Sequence, residues 1–239
     1  QLSVRALFQT PTLSELAQSL IKSQAITEAP TNLITYGTRS ITPELLPLID
    51  LTQADIDVIV DHFDGEVSNI QDIYALSPLQ DGILFHHIMA TKVDPYLLVA
   101  AMSFDNKSTL DRYFDAFQKV VDRHDILRTA IIWEGLSTPA QVVLRHAQLS
   151  VVELSLNPDD GPIANQIMKT VDPLEHRIDL TQAPLTRFVI AQDGGDSWIV
   201  VQLIHHIIGD HSTLDIMANE IRMIMEHKGK RVSKRSTCL

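Results

Sequence analysis

The stretch VVQLIHHIIGDHST, Val200–Thr213, joins an apolar run to a polar segment that carries three histidines and one aspartate. A second apolar run, LTRFVIAQ, and the glycine pair Gly194–Gly195 precede it, and this pattern predicts a β-hairpin. Since side chains alternate along a strand, His205 and His206 are expected to point to opposite faces. The hairpin therefore predicts that one histidine reaches a cleft while the other is packed away from it.

Helical and strand-like patterns alternate on both sides of this hairpin. The segments TLDIMANEIRMIMEH and TLDRYFDAFQKVVDRH repeat apolar residues at helical spacing, and SPLQDGILFHHIMA begins with a capping box of Ser77 and Gln80 around Pro78. YLLVAAMSF predicts a buried strand, and further strands are predicted in LRTAIIW, AQVVLRH and LSVVEL. This alternation predicts an α/β domain with a mixed sheet flanked by helices.

The composition is that of a soluble globular protein and argues against several classes of partner. The 239 residues are 45% hydrophobic and 21% charged, and the formal net charge is −11, whereas nucleic-acid binding favours a basic face. No apolar run has membrane-spanning length and no signal-peptide pattern is present, so no membrane partner is expected. Cys238 is the single cysteine, which precludes an internal disulfide and favours a cytoplasmic location.

The composition also divides the chain into four segments. Residues 1–24 predict two short helices, and residues 25–50 hold three prolines, five threonines and one serine without periodicity, which is typical of a linker. The predicted α/β domain covers residues 51–227. Residues 228–239 form a basic tail, which we expect to be an appended sequence on a piece of a longer protein.

The histidine segment suits proton transfer better than two alternative chemistries. Zinc binding would need converging ligands such as His206, Asp210 and His211, but adjacent residues converge poorly and no HExxH or paired-cysteine pattern occurs, so no metal is predicted. A serine hydrolase would need a GxSxG turn, which the chain lacks. An imidazole held in a loop titrates near neutral pH and can act as a general base.

Three motifs, in order, resemble those of nonribosomal peptide synthetase condensation domains. HHIIGDH, His205–His211, resembles the HHxxxDG signature, IYALSPLQDGILFH, Ile73–His86, the opening motif, and RHDILRT, Arg123–Thr129, the second motif. The N-terminal LSVRALFQTPTLSELA resembles the closing helices of a peptidyl carrier domain, so residues 1–24 are expected to be the end of one. The resemblance implies a chloramphenicol-acetyltransferase-like fold of two lobes around a tunnel, with this chain as the N-terminal lobe.

A fourth motif points to a subclass. HHIMATKVD, His86–Asp94, resembles the HH[I/L]xxxxGD motif of dual epimerization/condensation domains, with Val93 in place of the glycine. Such a domain inverts the Cα of an upstream carrier-bound aminoacyl or peptidyl thioester and joins it to a downstream aminoacyl thioester. The resemblance implies that His86 and His87 take part in the inversion, directly or by shaping the site, with Asp94 as a motif residue.

The resemblance also implies roles for residues of the HHxxxDG-like and second motifs. His206 is implied as the base or hydrogen-bond acceptor at the tunnel centre, and His205 as a packing residue on the opposite face. Asp210 is implied to be structural and held by an arginine, with Arg128 as the first choice and Arg123 as the second.

One residue departs from the HHxxxDG signature. His211 stands where that pattern has glycine, so it adds bulk and a titrating group beside His206. Gly209 is expected to give the backbone the freedom to turn toward the following helix. Both residues are candidates for the tunnel wall.

The implied partners leave competing functions open. The expected cofactor is phosphopantetheine on upstream and downstream carrier domains, and the expected neighbours are the missing C-terminal lobe and an adenylation domain. The isolated chain is expected to be inactive because half of the tunnel is missing. The alternatives are a condensation domain without epimerization, a stand-alone acyltransferase acting on coenzyme A thioesters, and a catalytically silent condensation-like domain that recruits partner proteins.

Overall fold

The computed structural model describes Thr12 and residues 30–90, 93–171 and 177–226. The chain divides into two compact units, residues 1–31 and residues 32–239. The predicted carrier helices of residues 1–24, apart from Thr12, and the basic tail of residues 228–239 lie outside the described residues. The elements and the candidate site described next belong to the second unit.

Helices alternate with strands along this unit. The α-helices are α1 (Gln53–His62), α2 (Pro78–Met89), α3 (Lys107–Arg123), α4 (Ile163–Thr170) and α5 (His211–Glu226). The strands are β1 (Ile70–Ala75), β2 (Leu97–Phe104), β3 (Thr129–Ile132), β4 (Ala140–Leu144), β5 (Ser150–Glu153), β6 (Thr186–Gln192) and β7 (Trp198–His205). Short 3-10 turns include Asp125–Arg128 and His206–Ile208.

The strands form two sheets. A three-stranded sheet has the order β1-β4-β3 and is antiparallel throughout. A four-stranded sheet has the order β2-β7-β6-β5, in which β5 and β6 are parallel and the other pairs are antiparallel. The predicted mixed sheet is therefore confirmed.

Local sequence signals account for the element boundaries nearest the histidines. The Ser77 side chain accepts a hydrogen bond from the Gln80 amide, and the side-chain oxygen of Gln80 accepts one from the Ser77 amide, as the predicted capping box requires. Gly194 and Gly195 take φ angles of 76° and 51°, which suit glycine, and they join β6 to β7 in the predicted hairpin. These signals fix where α2 begins and where β7 begins.

Two apolar clusters hold the unit together. One packs α3, α4 and α5 against the four-stranded sheet, and the other packs α1 against the three-stranded sheet. Residues 32–50 contribute buried side chains to the second cluster, including Ile34, Ile41, Leu46 and Ile49. The linker predicted for residues 25–50 therefore needs correction from residue 32 onward, because apolar residues without periodicity still pack against a neighbouring sheet.

The strand β2 differs from its prediction as a buried strand. Among the strands that the structure describes it pairs with β7 alone, and Ala100, Ala101 and Ser103 are exposed. An edge strand is covered on fewer sides than a central one, which explains the difference. Within the described residues, no helix combines the length and the apolar composition needed to cross a bilayer.

Candidate active site

Two paired-histidine segments meet where α2 ends and β7 ends. His86 and His87 lie in the last turn of α2, where consecutive side chains diverge by about 100° around the helix axis. His87 is consequently buried while His86 is exposed. The sequence between α2 and β2 then carries Asp94 and Tyr96 to the end of β7, because Leu97 pairs with His205.

The second pair is divided in the same way. His205 is the last residue of β7 and is fully buried, whereas His206 begins the 3-10 turn and is half-buried. The predicted separation of the two rings is thus present, although the change from strand to turn contributes to it. Each pair supplies one histidine to a buried layer and one to an accessible layer.

Asp94 joins the two histidines of the buried layer. Its Oδ2 atom lies 2.6 Å from Nδ1 of His87 and 3.1 Å from Nε2 of His205, and its Oδ1 atom accepts a hydrogen bond from the Tyr96 amide at 3.0 Å. Burial alone would raise the pKa of Asp94, but the hydrogen bonds from His205, His87 and the Tyr96 amide outweigh it and hold the pKa below its usual range. Asp94 is therefore an ionised acceptor between two ring N–H groups.

The protonation of His205 follows from its second contact. Its Nδ1 atom accepts a hydrogen bond from the Ile207 amide at 3.2 Å, so the ring proton is on Nε2 and is donated to Asp94. Burial lowers the pKa of His205 more strongly than the nearby Asp94 carboxylate raises it, so the neutral ring is favoured.

The donor atoms of His87, Asp94 and His205 lie within 4.8 Å of one another, close enough for a shared metal ion. A metal ion bound at Nε2 of His205 would have to displace the proton from that atom. The Ile207 amide, which donates to Nδ1, keeps this proton on Nε2. The three residues therefore fit a hydrogen-bonded network better than a metal centre.

Tyr96 contacts both histidines of the accessible layer. Its ring centroid is 6.0 Å from that of His86 and 6.5 Å from that of His206. The Tyr96 carbonyl accepts a hydrogen bond from the His206 amide at 2.8 Å, which fixes the turn beside the ring. His86, Tyr96 and His206 form what we call the ring row.

His206 is oriented as a base. Its Nδ1 atom lies 2.6 Å from the carbonyl oxygen of Gly209, and because a carbonyl can only accept, Nδ1 carries the proton of the neutral ring. The lone pair is then on Nε2. This is the tautomer that a general base needs if Nε2 is to accept a proton.

Asp210 does not have the predicted arginine partner. It is exposed, and its Oδ1 atom accepts hydrogen bonds from the amide and hydroxyl of Thr213, which makes it the N-cap of α5. Those same hydrogen bonds lower the pKa of Asp210, the Thr213 amide most strongly. Its structural role is at the start of a helix instead of in a buried ion pair.

Both predicted arginines bind elsewhere. Arg128 is buried and donates to the carbonyls of Val121 and Leu144, to the side-chain oxygen of Gln71, and to Asp125. Arg123 lies 3.5 Å from Glu220 in an ion pair between α3 and α5. The predicted pairing of Asp210 with Arg128 or Arg123 is therefore wrong, because a motif resemblance does not show which acceptors an arginine meets in the fold.

The two candidate tunnel residues flank His206. His211 is exposed, and its ring centroid lies 6.4 Å from that of His206. Gly209 has an extended backbone, with φ 166°, which any residue can adopt. What requires glycine is space, because an added Cβ would lie 2.6 Å from Cβ of Thr213. The expectation that Gly209 is needed for backbone freedom is therefore wrong. The glycine is needed because the Thr213 side chain leaves no room for a Cβ.

Sequence reasoning missed two contacts that shape this site. Tyr96 is not part of any motif, and only the pairing of β2 with β7 brings it to His206. Arg177 donates to the carbonyls of His87 and Ala90 at the end of α2, where the helix leaves carbonyls unpaired. A basic residue far along the chain carries no local signal for such a contact.

The fold and the histidine turn define a class of protein. The condensation-domain family matches residues 70–236, and the chain belongs to that family. The match includes all the residues of both histidine pairs. It confirms the resemblance noted for HHIIGDH and the two upstream motifs.

Curated relatives are very long synthetases. The chain is 64% identical over 227 residues to malpibaldin synthetase of Mortierella alpina and 59% identical over 224 residues to malpinin synthetase of the same organism. These matches cover 95% and 94% of this chain but only 4% and 3% of the synthetases. The chain thus corresponds to a small part of each relative.

Solved structures support the fold. The starter condensation domain of rhizomide synthetase RzmA matches with a TM-score of 0.53 and 21% identity, over 64% of this chain and 37% of that one. The four-domain nonribosomal peptide synthetase holo-AB3403 matches with a TM-score of 0.54 and 17% identity, over 65% of this chain and 12% of that one. These matches confirm the predicted chloramphenicol-acetyltransferase-like fold.

Proposed function

We propose that this chain is the N-terminal lobe of a dual epimerization/condensation domain of a nonribosomal peptide synthetase. The observation that carries the proposal is the ring row, in which His86 of one motif and His206 of the other flank Tyr96 on an accessible surface. Inversion of a carbon centre needs a proton removed from one face and returned to the other. Two imidazoles that contact one shared ring could supply these two proton transfers.

In the condensation step, His206 acts on the incoming amine. The amine nitrogen attacks the thioester carbonyl, the C–N bond forms and the C–S bond breaks. Nε2 of His206 takes the proton that the nitrogen loses, and the leaving thiolate receives a proton. The thioester is already activated, so positioning supplies much of the acceleration and the imidazole adds about 10²–10⁴-fold.

In the epimerization step, the two accessible imidazoles start in different protonation states. The Cα–H bond breaks, its electron pair moves into the thioester carbonyl to form an enolate, and the neutral imidazole takes the proton. The protonated imidazole then donates to the opposite face, and the enolate pair forms the new Cα–H bond. Exchange with solvent restores the starting protonation of both rings.

The buried layer supports both steps. Asp94 binds His87 and His205, so it ties the end of α2 to the end of β7 and with them the backbone that carries His86 and His206. Of the two histidines first assigned to inversion, His86 is accessible and we place it at the substrate, whereas His87 positions it. Phosphopantetheine on upstream and downstream carrier domains would bring both acyl groups, and an adenylation domain would load them.

A deuterium-exchange assay tests the proposal. The full-length domain, rebuilt with its C-terminal lobe and an upstream carrier bearing a labelled L-aminoacyl group, is followed in D₂O for deuterium at Cα and for dipeptide. The unchanged domain should show both. His86→Gln should lower exchange by about 100-fold and leave condensation of a D-aminoacyl carrier intact, and His206→Gln should lower both activities.

The exposed His146, beyond β4, provides the matched control. His146→Gln should leave exchange and product formation unchanged. Dipeptide without exchange in the unchanged domain would support condensation alone, and neither activity in a folded domain would support a silent partner-recruiting role. Exchange that survives both His86→Gln and His206→Gln would overturn the assignment of the bases.

A further inference from the structure

Tyr96 contacts both accessible histidines through its ring. The Tyr96 and His86 rings are tilted by 42°, and the Tyr96 and His206 rings meet edge to face at 77°. Such contacts between ring systems are geometrically specific and hold the partners in place. The tyrosine is half-buried, so it is partly accessible to solvent.

The backbone of Tyr96 is fixed on both sides of the ring. Its amide donates to Asp94 at 3.0 Å, and its carbonyl accepts from the His206 amide at 2.8 Å. The next residue, Leu97, is paired with His205 in the sheet. The ring therefore has a fixed origin relative to both histidine pairs, and a substitution that keeps the backbone also keeps these contacts.

The ring makes the contacts of this side chain with the two histidines. The structure records ring contacts to His86 and His206, and among the described residues no partner is recorded for the Tyr96 hydroxyl. In the proposed inversion one imidazole takes the Cα proton, and the other donates its own proton to the opposite face.

We propose that Tyr96 is a substrate-positioning residue that holds Cα of the carrier-bound acyl group between His86 and His206. This inference rests on the proposed function. Positioning of a reacting atom between two catalytic groups lowers the barrier by fixing distance and direction before the reaction. Loss of the ring should therefore affect inversion, which uses both imidazoles, more than condensation, which uses His206.

The test compares Tyr96→Ala and Tyr96→Phe in the full-length domain with its loaded carrier. Tyr96→Ala should lower Cα deuterium exchange by about tenfold relative to dipeptide formed from a D-aminoacyl carrier. Tyr96→Phe should restore the unchanged ratio, because it keeps the ring. Tyr36→Ala, at an exposed tyrosine that stacks on Arg145, should leave the ratio unchanged.

The possible outcomes separate this inference from the function it rests on. If the unchanged domain shows no exchange, the proposed epimerization fails and Tyr96 has no such role. If the unchanged domain exchanges and Tyr96→Ala keeps the same ratio of exchange to product, the positioning role alone is overturned. A Tyr96→Phe domain that loses exchange would also overturn it, since the hydroxyl would then be required.

Discussion

At the residue scale, Asp94 shows how one carboxylate can organise two sequence motifs. It is separated from His205 by 111 residues, yet it accepts hydrogen bonds from His87, His205 and the Tyr96 amide in a buried position. The charge is compensated by three N–H donors. Its partners are also the residues that carry His86 and His206 into the accessible layer.

The burial of His205 predicts a pH dependence of stability. Its pKa in the folded state lies below the ordinary value of 6.5, so below pH 6.5 the unfolded chain binds a proton that the folded chain does not. The free energy of unfolding should therefore fall as the pH is lowered below 6.5, by at most about 1.4 kcal/mol per pH unit for this one proton. Denaturant titrations of the chain at pH values from about 5 to about 7.5 measure how the free energy of unfolding depends on pH.

Two variants assign this slope to His205. His205→Gln removes the titrating ring and should flatten the pH dependence in addition to lowering stability. His146→Gln at an exposed position should keep the slope of the unchanged chain. A His205→Gln chain with an unaltered slope would show that other groups produce it. Asp94 titrates far below this window because its pKa is lowered from 3.8.

At the element scale, the junction between β7 and α5 depends on close approach. No loop residue separates the two elements at this junction. The 3-10 turn His206–Ile208 is followed directly by Gly209 and then by Asp210, which caps α5. An added Cβ at Gly209 would meet Cβ and Cγ2 of Thr213 at 2.6 Å. The first turn of α5 therefore packs directly on the backbone that orients the His206 ring.

Gly209→Ala should lower the free energy of unfolding by about 1–3 kcal/mol, because the added Cβ forces residue 209 away from the side chain of Thr213. The same movement should displace the Gly209 carbonyl from Nδ1 of His206. Chemical denaturation measures the stability change. Gly82→Ala in α2 is the control, since nothing lies within 4 Å of its added Cβ, and it should be neutral or stabilise by up to about 1 kcal/mol. Equal effects of the two substitutions would contradict this account.

Elements formed by local signals were predictable from the sequence, and the site was predictable only in part. Ser77 and Gln80 mark the start of α2, and the glycine pair marks the β6–β7 hairpin, because caps and tight turns depend on neighbouring residues. The motif residues near His206 were identified through resemblance. The contacts of Asp94 and Tyr96 were not predictable, since they depend on the register in which Leu97 pairs with His205.

At the scale of the whole molecule, Arg128 connects the two apolar clusters. It donates to the Val121 carbonyl in α3, which packs in one cluster, and to the Leu144 carbonyl and Gln71 side chain on strands of the other. The sequence motif suggested a partner for Arg128 near His206, but the planar guanidinium donates to acceptors on α3, β1 and β4 and to Asp125 in its own 3-10 turn. The role of this residue is therefore to join layers.

Arg128→Lys should lower the free energy of unfolding by about 3 kcal/mol, because an ammonium group cannot reach all of these acceptors and leaves buried carbonyls unpaired. Denaturant unfolding measures the change. The control is Arg187→Lys, at an exposed position on β6, which should stay within about 0.5 kcal/mol of the unchanged chain. An Arg128→Lys chain as stable as the control would show that the clusters are joined by packing alone.

The His87–Asp94–His205 network has a spectroscopic consequence. Imidazole N–H protons of surface histidines exchange with water too quickly to be seen, whereas protons that are buried and hydrogen-bonded to a carboxylate exchange slowly. The ring protons on Nδ1 of His87 and Nε2 of His205 both meet this condition. They should give two separate resonances at the low-field end of the proton NMR spectrum. A change in the chemical shift of these resonances when a carrier domain docks would show that docking alters the buried network, and the measurement needs no added label.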